Sequence, residues 1–336
     1  YAVSILLSAG VIIYIFNEPI NSSFKMAWIV PVLVIPVFGV LLYIFVQMQF
    51  QTKLLARRLK NTIKSAAPYL NQDLAVQEKI RKSSQRSSHL IDYMKDHAGY
   101  PAYGNTHVEY FPLGEDKFEA LMRELKAARH FIFMEYFIVE RGYMWDSILK
   151  VLEEKVKEGV EVRILCDGMG GRFMPKKLWE KMEKAGIKVG VFFPPFLGWL
   201  NLRVNYRNHR KIVVVDGNTG FVGGFNIGRE YISRDPKFGY WRDTHLEIKG
   251  EAAISLQIRF ALDWNYVTGE NLFKEIRYFG EEAEYARRRL NGQIHAVWPD
   301  PDHVNEMVCM QIITSGPDTR EPHIRNNYLE LFHKAK

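Results

Sequence analysis

The chain has 336 residues, of which 47% are hydrophobic and 25% are charged, and this balance excludes a largely disordered protein. The net charge of +7 suits contact with phosphate groups, whether of nucleic acid or of anionic lipid, and does not distinguish the two. Two distant cysteines, Cys166 and Cys309, exclude a disulfide framework and a cysteine-based zinc site.

The N-terminal residues 1–48 contain two apolar segments. Ala27–Val46 carries no charge, and its length suffices to cross a bilayer as a helix. Tyr1–Phe16 is a few residues shorter, which we attribute to a truncated front. A cleaved signal peptide is the alternative, but the segment lacks a basic leader and a second apolar segment follows at once. We therefore expect a hairpin of two membrane-spanning helices, with the cytoplasmic side marked by Lys53, Arg57, Arg58, Lys60 and Lys64.

Residues 49–104 are polar and helix-prone, and they predict a basic helical connector. From residue 105 onward, the apolar residues alternate between strand and helix spacing. The predicted helices are Asp116–Arg129, Tyr143–Lys157, Lys176–Lys184 and Ala252–Tyr266. The predicted strands are Val108–Phe111, Phe131–Val139, Val160–Cys166, Ile187–Phe193, Lys211–Val215, Gly220–Gly223 and Arg242–Ile248. This order predicts an α/β domain over residues 105–305 with a largely parallel central sheet.

The pattern restarts near the end of the chain. Met310–Ser315 is a predicted strand, residues 316–318 a turn, and Ile324–Lys336 a helix. The same order of strand, turn and helix opens the domain at Val108. We interpret residues 306–336 as the start of a second, truncated copy of the domain, with an unrelated strand–turn–helix as the alternative.

The chemistry is concentrated in residues 208–226, which read NHRKIVVVDGNTGFVGGFN. His209 and Lys211 are two residues apart at the start of a strand, so their side chains point to one face. An imidazole can attack phosphorus or move a proton, and Lys211 supplies a compact cation. Asn226 offers an amide donor at the start of a predicted helix, where anions bind. These residues predict a phosphodiester-transfer site, with Asp216 placed to hold the structure.

This stretch resembles the His-Lys-Asp motif of the phospholipase D superfamily. The whole chain is similar to the bacterial cardiolipin synthases of that superfamily, through the two apolar segments and the segments Glu135–Phe137, Gly223–Asn226, Tyr240–His245 and Thr314–Asp318. The resemblance implies a phospholipase D-like α/β sandwich with a central mixed or parallel sheet, preceded by the transmembrane hairpin. It also implies that His209, Lys211 and Asp216 are catalytic, that Lys211 and Asn226 bind the substrate phosphate, and that no metal or cofactor is needed.

For a cardiolipin synthase, the resemblance implies a phosphatidyltransferase in the bacterial inner membrane, with its catalytic domain in the cytoplasm. Its partners would be phosphatidylglycerol and anionic membrane lipid rather than nucleic acid. One motif histidine forms a phosphohistidine while a second protonates the departing glycerol. The alternatives are a phospholipase D-type hydrolase, a phosphatidylserine synthase and, with less support, a nuclease of the superfamily.

The chain departs from this pattern because it contains one His-x-Lys-x4-Asp motif and not two. We expect the second catalytic half to be missing from this chain. A homodimer that completes the site from two chains is the alternative.

Four further features bear on the site. Glu135 lies in a strand expected beside the motif strand, where the resemblance implies that its carboxylate orients a motif histidine. Strand alternation turns Arg210 away from His209 and predicts a surface position. Asp243 and His245 share one strand face, which predicts a structural hydrogen bond. The apolar loop 192–202 suits contact with a bilayer surface, with a covered core loop as the alternative.

Overall fold

The computed structural model describes residues 2–18, 22–47, 63–170, 176–192, 207–279, 308–315 and 322–335. The chain forms two units. One unit comprises Tyr1–Lys60 with Pro317–Glu321, and the other comprises Asn61–Gly316 with Pro322–Lys336.

The N-terminal unit contains three described helices, α1 (Ala2–Asn17), α2 (Ser22–Val34) and α3 (Pro36–Gln47). The predicted second span is divided at Ile35, because Pro36 has no amide hydrogen and its ring excludes the carbonyl group four residues earlier. The prediction of two helices is therefore corrected to three. Among the described residues, no helix has both the length and the apolar character that a membrane crossing requires.

The described part of the connector is helical, as predicted. It contains α4 (Leu74–Ser83) and α5 (Gln85–Ala98). Asp73 begins α4 by accepting a hydrogen bond from the Ala75 amide at 2.7 Å. The basic residues between positions 53 and 60 lie outside the described residues. The connector is shorter than predicted, because the first strand already begins at residue 102.

The main unit is built on one eight-stranded sheet with the order β4-β3-β2-β5-β6-β7-β1-β8. Its strands are β1 (Ala102–Leu113), β2 (Phe131–Tyr136), β3 (Glu161–Asp167), β4 (Lys188–Phe192), β5 (Lys211–Val215), β6 (Thr219–Gly223), β7 (Arg242–Gly250) and β8 (Val308–Gln311).

The sheet is mixed. Of the strand pairs that the structure describes, β2–β3 and β3–β4 are parallel and the other five are antiparallel. The prediction of a largely parallel sheet from the periodicity is wrong, whereas the mixed sheet that the resemblance allowed is confirmed. The turn between β5 and β6 comprises only residues 216–218, which is far too short for the crossover that parallel neighbours require.

Helices cover both faces of the sheet. The first face packs against α6 (Gly114–Ala127), α7 (Tyr143–Lys157) and α8 (Lys176–Lys184). The second face packs against α9 (Ala253–Thr268) and the short helix α10 (Ile276–Phe279). The existence of α6, α7, α8 and α9 confirms the predicted helices.

Strand alternation divides the central side chains between the two faces. In β2, Met134 belongs to the core of the first face, whereas Phe133 stacks on Phe260 of α9 at 4.6 Å between ring centroids. In β5, Val213 belongs to the first face and Val214 to the second. This division determines the face on which each polar side chain of β2 and β5 lies.

The predicted late strand is present as β8, which pairs antiparallel with β1 at the edge of the same sheet. The predicted late helix is present as α11 (His323–Lys334), and the predicted turn at residues 316–318 lies outside the described residues. The assignment of residues 306–336 to a second domain stays a prediction.

Lys117 of α6 lies under the first face with no exposed surface. Its Nζ donates a hydrogen bond to the Tyr136 hydroxyl at 3.0 Å, and no carboxylate among the described residues pairs with it. Burial lowers the pKa of Lys117 to about 7. The folded protein therefore disfavours the charged form of this side chain.

We predict that Lys117→Met raises the free energy of unfolding at pH 6 and that this gain shrinks as the pH rises toward 9. The unfolded lysine keeps its proton to a higher pH than the folded one, so stability increases with pH above 7, by up to about 1.4 kcal/mol for each unit of pKa difference. Urea unfolding at several pH values measures the effect, with the exposed Lys126→Met as the control. A gain that is equal at pH 6 and pH 9 would contradict it.

Candidate active site

His209 and Lys211 meet around one aromatic ring. His209 is exposed just before β5, and its imidazole lies 4.8 Å from the Phe137 ring, between centroids. Lys211 is buried, and its Nζ donates to the His209 carbonyl oxygen at 2.9 Å and lies 5.3 Å from the Phe137 ring centroid. The structure thus brings the two predicted residues together. Sequence reasoning placed Phe137 inside the predicted strand Phe131–Val139 and gave its ring no role, whereas the strand ends at Tyr136.

The surroundings of His209 and Lys211 favour a neutral imidazole on His209 beside a protonated ammonium on Lys211. Partial burial and the nearby Lys211 ammonium lower the pKa of His209, although Asp167 opposes them. Burial also lowers the pKa of Lys211, to about 8, although the Asp243 carboxylate opposes it. Near pH 7, His209 can therefore act as a nucleophile or proton acceptor while Lys211 still carries its proton.

Asn226 is buried and held in place on both sides of its amide. Its Oδ1 accepts a hydrogen bond from the Ile138 amide at 3.0 Å, and its Nδ2 donates to the Tyr231 hydroxyl at 2.8 Å. The predicted helix that would start here is wrong, since only a short 3-10 turn, Arg229–Ile232, follows. Side-chain contacts, and not a helix N-terminus, fix this amide next to the segment that carries Phe137.

The two glycines before Asn226 allow β6 and β7 to approach closely. A Cβ atom on Gly223 would lie 2.3 Å from the Thr244 carbonyl oxygen, and one on Gly224 would lie 2.1 Å from Asp243 Oδ1. Both distances are impossible without displacement of β7. The glycines therefore set the position of Asp243 relative to the site.

Asp216 lies at the opposite end of β5 from His209. Its carboxylate accepts hydrogen bonds from the backbone amides of Arg129, His130 and Phe131 at 2.8 to 2.9 Å. These bonds join the β5–β6 turn to the start of β2. The geometry agrees with the structural role that its position in the sequence suggested, and a catalytic role for Asp216 stays a prediction.

Glu135 lies beside the motif strand, as expected, directly opposite Ile212. It is buried, and its Oε1 accepts a hydrogen bond from Asn208 Nδ2 at 2.5 Å. Its Oε2 accepts no hydrogen bond from a described donor, and no bond to His209 is present there, but the Glu135 and Asp263 carboxyl groups share a hydrogen bond. Burial and the negative charge of Asp263 raise the pKa of Glu135 well above its usual range. Glu135 therefore holds Asn208, the residue before His209, in an environment that favours the uncharged form of its acid.

Arg210 does not lie free on the surface, and that prediction is wrong. Its guanidinium group donates to Asn208 Oδ1 at 3.1 Å and to Asp263 Oδ2 at 3.0 Å. Asp263 is buried on α9, and nothing in the local sequence pattern indicated that an acidic residue of a distant helix would face Arg210.

The predicted hydrogen bond between Asp243 and His245 is also wrong. His245 is fully buried, and neither of its ring nitrogens has a hydrogen-bond partner among the described residues. Burial, together with Lys117 and Lys211, lowers the pKa of His245 well below its usual range. Asp243 instead accepts a hydrogen bond from the Thr244 amide.

The apolar loop falls almost entirely outside the described residues, which resume at Arg207. The Arg207 guanidinium lies 3.7 Å from the Asp167 carboxylate. The proposed contact of this loop with a bilayer stays a prediction.

Two families match the chain. Residues 121–248 match the phospholipase D-like domain of cardiolipin synthase, and residues 5–47 match the phospholipase D-nuclease N-terminal family. The cardiolipin synthase of Listeria innocua is 33% identical to the chain over 349 residues, which cover 100% of the chain and 67% of that relative. The chain belongs to the cardiolipin synthase family.

Another member of the family, the major cardiolipin synthase of Bacillus subtilis, is 34% identical over 348 residues, which cover 100% of the chain and 66% of that protein. The chain thus spans about two thirds of the length of the curated relatives it matches. Among solved structures, the phospholipase D family member Nuc from Salmonella typhimurium has a TM-score of 0.36 and 20% identity, covering 49% of this chain and 97% of that one.

The raised pKa of Glu135 leads to a prediction about two substitutions at this position. Because burial and Asp263 favour the uncharged form of Glu135, Glu135→Gln should keep turnover within about threefold, since a neutral amide oxygen can accept the same bond from Asn208. Glu135→Ala should lower turnover about tenfold or more, because it removes the acceptor and leaves a cavity. Turnover of phospholipid by the two variants measures the effect. Equal, large losses in both variants would show that an ionised carboxylate is required.

Proposed function

We propose that this protein transfers a phosphatidyl group from one phosphatidylglycerol to the hydroxyl of another, which makes cardiolipin and releases glycerol. The observation that carries this proposal is the exposed imidazole of His209 beside the buried ammonium of Lys211. Asn226, whose Oδ1 is bonded to the amide of Ile138 directly after Phe137, is the neutral amide that we assign to the phosphate. Membership of the cardiolipin synthase family supports the choice of lipid.

In the first step, an imidazole nitrogen of His209 forms a bond to phosphorus as the bond from phosphorus to the glycerol oxygen breaks. Glycerol leaves with a proton, and the phosphatidyl group stays on the histidine. In the second step, the hydroxyl of another phosphatidylglycerol loses its proton and attacks phosphorus, which frees His209. The Lys211 ammonium stabilises the negative charge that develops on the phosphate oxygens in both steps.

Each step also needs a group that moves the proton of the alcohol. We propose that a second His-Lys-Asp motif supplies this group, either in the same polypeptide or in a second copy of this chain in a homodimer. Equilibrium sedimentation in detergent distinguishes the two arrangements.

We further propose that the protein resides in the bacterial inner membrane with its catalytic unit in the cytoplasm, and that it acts on lipid rather than nucleic acid. The N-terminal unit supports this location, since its helices expose large apolar side chains such as Leu6, Phe16 and Val34, each with more than two thirds of its surface accessible. An apolar surface of this kind favours contact with lipid.

We predict that the protein converts phosphatidylglycerol vesicles to cardiolipin and glycerol, and that His209→Ala lowers this rate at least about 10³-fold, since the variant lacks the attacking or proton-accepting group. Thin-layer chromatography of the lipids measures the products. His130→Ala is the matched control, because that imidazole is exposed and lies outside the site, and it should retain the wild-type rate.

The products also separate the alternatives. Phosphatidic acid without cardiolipin would identify a hydrolase, and phosphatidylserine formed on addition of serine would identify a phosphatidylserine synthase. Cleavage of DNA without any lipid turnover would overturn the proposal.

A further inference from the structure

The segment that carries His209 is held by side chains rather than by strand pairing. Residues 207–210 precede β5 and belong to no strand. His209 itself contributes one described hydrogen bond, in which its carbonyl oxygen accepts from Lys211 Nζ. The position of the imidazole therefore depends on how its two neighbours in the chain, Asn208 and Arg210, are fixed.

Asn208 is fixed through its backbone and its side chain. Its backbone amide donates to Asp167 Oδ2 at 3.2 Å, and its Nδ2 donates to Glu135 Oε1. Both acceptors are buried at the ends of neighbouring parallel strands, β2 and β3. The residue before His209 is thus anchored to the sheet.

Arg210 is fixed on the second face of the sheet. One nitrogen of its guanidinium donates both to Asn208 Oδ1 and to Asp263 Oδ2, so it ties the two neighbours of His209 to each other and to α9. Asp263 is oriented by Arg259, one helical turn earlier, whose Nε donates to Asp263 Oδ2 at 2.9 Å. Burial alone would raise the pKa of Asp263, but Arg210 and Arg259 outweigh it and keep the carboxylate ionised.

We propose that Asp263 is a positioning residue for the phosphodiester transfer, which acts through Arg210 and Asn208 to hold His209 at the distance and angle needed for attack. This inference rests on the proposed function. Asp263 lies on the face of the sheet opposite to that of Lys211, so its carboxylate acts without touching the substrate. A displacement of about 1 Å at a reacting group can cost about a hundredfold in rate, so such a residue affects turnover far more than binding.

A second ion pair of the same sheet face provides a matched control. Arg163 of β3 pairs with Glu270, which follows α9, at 2.5 Å; Arg163 is as buried as Asp263, whereas Glu270 is about half-exposed. This pair joins the same helix region to the sheet but has no described contact with residues 207–210. Its loss should lower thermal stability and leave the site in place.

The experiment compares Asp263→Asn with Glu270→Gln in the intact protein on phosphatidylglycerol vesicles. We expect Asp263→Asn to lower kcat about 10- to 100-fold with KM changed less than about twofold, and Glu270→Gln to keep the wild-type kcat even where its Tm falls equally. Arg210→Lys keeps the positive charge but loses the planar group that reaches both acceptors. Its kcat should therefore lie between that of the wild-type protein and that of Asp263→Asn. The double variant Asp263→Asn with Arg210→Lys should be no slower than the slower single variant, because both act through one contact.

A folded Asp263→Asn protein with wild-type kcat would overturn the inference, as would equal losses of kcat in Asp263→Asn and Glu270→Gln. If Asp263→Asn does not fold, the same judgement rests on Arg210→Lys. Failure of the wild-type protein to make cardiolipin would instead count against the proposed function. In that case, the ratio of variant to wild-type turnover on the chromogenic diester bis(4-nitrophenyl) phosphate decides the positioning role.

Discussion

The antiparallel pairing of β2 with β5 in the middle of the sheet determines the faces on which Lys211 and Glu135 lie. Its register places Tyr136 opposite Lys211 and Glu135 opposite Ile212. Since side chains alternate along a strand, Lys211 points to the first face and Glu135 to the second. A shift of one residue would exchange these faces. The three backbone hydrogen bonds to Asp216 stabilise this register at the far end of β5.

The two faces of the sheet have different parts in the proposed chemistry. On the first face, burial lowers the pKa values of Lys117, Lys211 and His245, which limits the positive charge there. At the site, the positive charge comes from Lys211. On the second face, the backbone on both sides of His209 is held by a hydrogen bond from Asn208 to Glu135 and by an ion pair between Arg210 and Asp263. In the proposed mechanism, the first face provides charge for a phosphate, and the second provides the geometry for attack.

The sequence predicted the order of the elements well, because amphipathic segments such as Tyr143–Lys157 carry a clear helical period. The sequence-based prediction of strand direction was wrong, because periodicity does not encode direction. Asp216-Gly217 between β5 and β6 is a hairpin signal that could have indicated antiparallel pairing. His209, Lys211 and Asn226 could be found from their spacing. The partners of Glu135 and Arg210 could not. Asn208 lies 73 residues from Glu135, and Asp263 lies 53 residues from Arg210. Only strand pairing and the packing of α9 against the sheet bring these residues together.

The pH dependence of turnover tests the central claim that a protonated Lys211 on the first face forms the phosphate site. The account predicts that kcat/KM for phosphatidylglycerol falls as the pH rises through about 8, where Lys211 loses its proton. It also predicts that Asp243→Asn moves this fall to lower pH, because the Asp243 carboxylate raises the pKa of Lys211. A profile that stays level to pH 9.5 in the wild-type protein, or that is unchanged in Asp243→Asn, would contradict the account.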